Sequence, residues 1–177
     1  MSFNQLSYYP ESFLAPAYSN DDRTSAYFGF AAPAAVRRFA LNAAEGGIGT
    51  LPSLAAFAAP VNVVSTAADS RFAGVTNNLL HFNCIISLPN NASVTLNFQV
   101  RRAANNGLPV SIGGIHTFSL TAGSLESHSF GFQFFDANVQ PGFYTYSVEL
   151  AASSSVTGTV GPAVNRALLS VLSIPAR

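Results

Sequence analysis

Glu126-Ser127-His128 is the one place where a carboxylate and a histidine stand two residues apart. On a strand, positions i and i+2 share a face. The two side chains can therefore meet as a hydrogen-bonded pair near an edge, or lie apart on a solvated face. The remaining carboxylates are too sparse for paired acid–base work: Asp21-Asp22, Glu11, Glu45, Asp69, Asp136 and Glu149. The histidines, His81, His116 and His128, never fall within four residues of one another, so no HExxH or H-x-H metal pair exists. His81 and His128 fall in expected strands, His128 on the face expected to be polar. Serine is abundant, but the G-x-S-x-G turn that presents a nucleophile is absent. Gly46-Gly47-Ile48-Gly49-Thr50 has the glycines of a phosphate loop without the G-x-G-x-x-G spacing or the lysine of a Walker motif. It reads as a loop. No catalytic, cofactor-binding or metal-binding residues are expected, and the chain is not expected to be an enzyme.

Cys84 is the single cysteine and lies in an apolar run, Leu79 to Leu88. It reads as a buried thiol; if exposed, it could form only an intermolecular disulfide. Asn91-Ala92-Ser93 is a glycosylation sequon, which matters only on a eukaryotic secretory route.

Composition points away from a solitary soluble domain. Only 9% of the 177 residues are charged while 49% are hydrophobic, and the formal net charge is +0. Ordinary globular domains carry about 25% charged residues. There is no lysine; the positive charge is entirely arginine. Arginine tolerates interfaces because its guanidinium is weakly hydrated and bonds in a planar fork. A genome rich in G and C would also replace Lys by Arg, but would not remove the acidic residues as well. The only arginine pairs are Arg37-Arg38 and Arg101-Arg102, so no basic patch exists to grip phosphates and no nucleic-acid partner is expected. The stretch 46–68 is uncharged, yet it contains Pro52, Pro60 and several glycines, which argues against a membrane span. The first ten residues lack the basic and apolar regions of a Sec signal peptide. The expected destination is therefore either the producing cell or a surface reached by another route, such as mother-cell lysis.

From Val61 onward the chain reads as short strands between turns. Val94, Leu96, Phe98 and Val100 alternate with polar residues, as do Phe130, Phe132 and Phe134, and Tyr144, Tyr146, Val148 and Leu150. These are the expected core strands. Ala167 to Ile174 is more uniformly apolar, like a central strand covered on both faces. Turn chemistry recurs at Pro89-Asn90-Asn91, Asn105-Asn106-Gly107, Gly113-Gly114, Ala122-Gly123, Pro141-Gly142 and Gly161-Pro162. This spacing predicts an all-β, antiparallel jelly roll or sandwich of about eight strands.

Residues 1–35 read as an extended arm preceding a single jelly-roll domain at 36–177. The arm holds Phe3, Tyr8, Tyr9, Phe13, Tyr18, Tyr27, Phe28 and Phe30, with Pro10 and Pro16 breaking any long helix. Such a segment cannot bury its own rings. It either covers its own domain or docks on a neighbour, adding a strand or filling a groove. Ala31 to Ala35 reads as a hinge, Val36 to Leu41 as the first strand of the body, and 43–59 as loop, with a short helical turn at Ser53 to Phe57.

The run Gly142 to Leu150, a Ser/Thr/Gly stretch, and then Ala167 to Ile174 resembles the closing strands of small jelly rolls on bacterial spore surfaces. These are the C1q/TNF-like C-terminal domains of exosporium filament proteins and the jelly-roll subunits of endospore appendages. The resemblance covers about 61–177 and lies in composition and strand spacing. It implies a non-enzymatic trimer or fibre subunit assembled with copies of itself on a spore surface, with an N-terminal connector that inserts into the next subunit. Two departures stand out: no collagen-like region precedes the body, and the arm has no cysteine. Any fibre would be held non-covalently or through Cys84 alone. A lectin-like trimer that binds a ligand, or a viral capsid or fibre protein, would share the fold.

Overall fold

The computed structural model describes residues 40–52, 59–71, 73–158 and 160–176, all within the unit Arg37–Arg177. Ten strands follow in order: β1 (Ala40–Gly46), β2 (Gly49–Thr50), β3 (Val61–Asp69), β4 (Thr76–Leu88), β5 (Ala92–Ala104), β6 (Val110–Ala122), β7 (Glu126–Val139), β8 (Phe143–Leu150), β9 (Ser155–Thr157) and β10 (Ala163–Pro175). There is no helix among the described residues. The architecture is all-β and antiparallel.

The strands form two sheets. The first runs β1-β10-β4-β7, with β2 also on β10; the second runs β3-β8-β5-β6, with β9 also on β5. The pairings β1·β10, β3·β8, β4·β7 and β5·β6 nest inside one another along the chain. One long hairpin has thus been rolled up so that β10 also meets β4 and β8 also meets β5. That is jelly-roll topology.

Period-two alternation decides what goes inside. Leu80, Phe82, Cys84, Ile86 and Leu88 of β4 face Val94, Leu96, Phe98 and Val100 of β5 across the sandwich, and all are buried. Tyr144, Tyr146, Val148 and Leu150 of β8 are buried beside them, as expected of core residues. Asparagine makes the turns: Asn91, Asn105 and Asn106 have positive φ (55°, 49° and 61°), a region their short polar side chains tolerate.

Four of the six expected turns lie between strands, and a fifth, Ala122-Gly123, begins on the last residue of β6. The sixth, Gly113-Gly114, does not separate strands. β6 runs straight through it, and the register jumps from Gln99↔Ile115 to Val100↔Ile112. The two glycines form a bulge in an edge strand, where Gly113 takes φ +73°. The first described strand begins at Ala40 and runs to Gly46, so much of what reads as the first strand (36–39) lies outside the described residues, and part of the expected loop is strand. Small residues are what this corner needs. A Cβ on Gly46 would lie 2.6 Å from the Val63 carbonyl, and the Gly47 N–H donates to that oxygen at 3.0 Å. The expected helical turn at Ser53 to Phe57 also lies outside the described residues.

Candidate assembly interface

The two long sides of the sandwich differ. On the β1/β3 side the backbones nearly touch, as the Gly47–Val63 bond shows. On the β6/β7 side the sheets are held apart by rings. Phe82 and Phe98, fully buried at the centre, sit 5.5 Å apart. Phe132 packs on Phe82 at 5.1 Å, and Phe130 stacks on Phe98 at 5.0 Å. Phe118 then meets Phe130 edge-on at 5.8 Å, and His116 lies flat on Phe132 at 3.8 Å. The series runs from the dry centre to a mouth in which Phe118, Phe130, Phe132 and Phe134 point inward yet remain half-exposed. Phe130, Phe132 and Phe134 do share the inner face, as the alternation predicts. They pack against the core at its partly solvent-reached side and are not sealed within it.

His128 is on that inner face too, in phase with Phe130, and not on a polar face. Its Nε2 is 3.0 Å from Glu126 Oε2. The Glu126–His128 pair is therefore the hydrogen-bonded edge pair, sited at the end of the mouth. His116 Nε2 is shielded from solvent and has no hydrogen-bond partner. Loss of solvent lowers the pKa of its imidazole below the ordinary 6.5.

Both strands flanking the mouth are edges. Among the described residues, β6 pairs only with β5 and β7 only with β4. Natural edges are usually guarded by lysine, proline or inward charge. β6 has no Asp, Glu, Lys, Arg or Pro over its 13 residues. Beyond the Gly113-Gly114 bulge it presents a row of unpaired backbone groups with no charge to repel another strand.

The outer faces of the sheets also differ. That of the second sheet is a polar ladder: Ser93–Thr121 at 2.9 Å, Thr95–Ser119 at 3.1 Å, and the Thr117 hydroxyl donating to Asn97 Oδ1 at 2.8 Å. That of the first sheet carries Leu41, Leu172, Leu79 and Phe135 in one row across four strands, set by direct register. Leu41 is 70% and Phe135 55% exposed.

Two arginines of β5 are committed within the body. Arg101 pairs with Glu149 at 3.0 Å and Arg102 with Asp136 at 2.7 Å, both half-buried. Arg102 also lies over the Tyr144 ring, 5.5 Å from its centroid. Arg101 uses both terminal nitrogens, on Glu149 and on the Pro109 carbonyl, a fork that lysine lacks. Cys84 is buried, and burial pushes its thiol up to about 12. The expected arm residues, Phe3 to Phe30, lie outside the described residues. His81 stands on the outer face of β4, apart from the other two histidines. Among the described residues no cluster of His, Cys, Asp and Glu could hold a metal, and no helix is long and apolar enough to cross a membrane.

Fold and surface together define an antiparallel jelly roll with an aromatic side and, in β6, an edge strand free of charge. No protein-family model matches the chain, and no curated protein matches it. Among solved structures, a chain from infectious bursal disease virus, Gx strain, is similar at a TM-score of 0.43 and 12% identity. The match covers 79% of this chain and 37% of the viral one, so this chain spans little more than a third of that length. The assignment of jelly-roll topology stands on the strand pairings alone.

Proposed function

We propose that the chain is a structural subunit that assembles with copies of itself into a fibre or layer, extracellular or on a spore surface, its N-terminal arm docking on a neighbour. It is read as a building block and not an enzyme. The observation that carries this is β6: a long edge strand with no charge, beside a mouth of half-exposed rings. Such an edge is a template for pairing. The charge-poor composition points the same way, because a surface near zero net charge associates readily.

A second reading is a discrete ring of the C1q/TNF-like kind. It is favoured by the row Leu41–Leu172–Leu79–Phe135, a flat apolar strip that one partner copy would cover. Negative-stain microscopy with light scattering separates the two. The fibre reading expects polymers from the full chain and folded, non-assembling protein after deletion of residues 1–30. Closed particles of fixed size, or the same polymer from the truncated chain, overturn it.

A further inference from the structure

The mouth between β6 and β7 offers two things at once: ring faces and unpaired backbone. An extended peptide needs both, because its own N–H and C=O groups must find partners when water leaves. The apolar row on the first sheet offers mainly aliphatic side chains on a sheet face, and at its centre, on β10 and β4, the backbone is already paired on both sides. Resting on the self-assembly reading above, we propose that the β6 side of this mouth is the socket for the N-terminal segment of a neighbouring copy. Residues 24–32 of that copy would pair along β6 at residues 115–121, on the near side of the Gly113-Gly114 bulge.

Several observations select this pairing. Residues 24–32 contain no proline and no charge, and neither does β6. Phe28 and Phe30 stand two apart, so on a strand both point one way, toward Phe118, Phe130 and Phe132. Prolines at 10, 16 and 33 bound the part of the arm that can pair without interruption. His116 Nε2, shielded and without a partner, stands within the stretch to be covered. The described chain begins at Ala40 in β1, which is the edge of the first sheet opposite β7. A segment passed from one copy to β6 of the next is a head-to-tail contact, the kind that builds a fibre when its rotation does not close.

The test uses the full-length chain with p-benzoylphenylalanine in place of Phe28 or, separately, Phe30. Subunits with and without heavy isotope are mixed, assembled, irradiated and mapped by mass spectrometry. Cross-links of mixed isotope to residues 115–121 or 130–134 are expected. In parallel, Ser119→Lys places a charge on the exposed outer face of β6 at the cost of its exposed bond to Thr95; loss of polymer with the melting temperature lowered no further than by Ser119→Ala is expected. Polymers whose cross-links fall on Leu41, Leu79 or Leu172 overturn the socket and leave self-assembly standing. Cross-links to the mouth confined to one isotope place the segment on its own body and overturn the docking between copies. Absence of both polymer and intermolecular cross-links overturns the socket and the self-assembly reading together.

Discussion

His116 and Phe132 lie face to face across the mouth, 3.8 Å between ring centroids and 3° from parallel. The two residues come from different sheets. Their stack is one of the few places where β6 touches β7, and it joins an imidazole held neutral by its surroundings to the aromatic series of the core.

That stack predicts an acid-sensitive clasp. The imidazole pKa is lowered in the folded protein, so below about 6.5 the unfolded chain binds the proton more readily. Stability from this site is complete above the unfolded value and falls as pH drops through the lower folded one. Carboxylates contribute their own acid dependence, so the comparison must be made with a variant. His116→Phe keeps a ring on Phe132 and removes the proton site. Its melting temperature relative to the parent should rise as pH goes from 7 to 5. An offset that does not change with pH contradicts the assignment.

A second relationship ties the sheets together at one end. Asn78 Nδ2 donates to the Tyr146 hydroxyl at 2.7 Å, which donates to Asp136 Oδ2 at 2.7 Å, which also receives Arg102. Four strands, β4, β8, β7 and β5, meet in this chain of bonds. Tyr146 is fully buried, and burial above all holds its phenol protonated well into the alkaline range. Tyr146→Phe strands the buried Asn78 amide while Asp136 keeps Arg102, and should cost about 1–3 kcal/mol. Asp136→Ala leaves the half-buried Arg102 unpaired as well and should cost about 3–5 kcal/mol. Urea unfolding of both variants gives the order; a smaller loss for Asp136→Ala would sink this account of the network.

The β6 bulge gives a prediction with its own control one residue away. Gly113 has φ +73°, and a Cβ there would run into the Phe134 ring. Gly113→Ala must strain the backbone and move the ring, at a cost of about 1–3 kcal/mol. A Cβ at Gly114 meets nothing within 4 Å. Gly114→Ala should fall within about 0.5 kcal/mol of the parent, as ordinary surface changes do. Equal effects at the two positions would show that the ring contact is not what fixes the bulge.

What could be read from the sequence was the part governed by period two and by turn residues. Phe143 to Leu150 matches β8 as it stands, and the runs around Val94–Val100 and Phe130–Phe134 lie inside β5 and β7. β6 was hidden because its Gly113-Gly114 pair imitates a turn, and only the register with β5 shows that the strand resumes beyond it. β1 is blurred because its three alanines and Gly46, the residue that allows the tight approach to Val63, carry no strand signal. The aromatic mouth was only half legible. Alternation placed the three phenylalanines on one face, but whether a face is sealed or open depends on which strands become edges. That follows from strand order, a long-range property absent from any single segment. The register of Leu41, Leu172, Leu79 and Phe135 is of the same kind: four residues separated along the chain and aligned only by the sheet.

Cys84 decides between covalent and non-covalent assembly. Its side chain points into the core from β4, opposite Phe130 in register, and burial pushes the thiol up to about 12. At pH 8 the thiolate, the reactive form, is therefore scarce, and an attacking reagent has no path to it. Full-length protein should resist iodoacetamide until denaturant opens the sandwich, and then react once per chain. Reducing agent should leave any assembly intact. Cys84→Ala keeps the site apolar and loses one buried sulfur, so a cost of about 1 kcal/mol is expected with assembly retained. Rapid labelling of the native chain, or polymer that dissolves on reduction, would mean that the thiol is reachable. An intermolecular disulfide would then have to carry part of the contact here assigned to rings and strand edges.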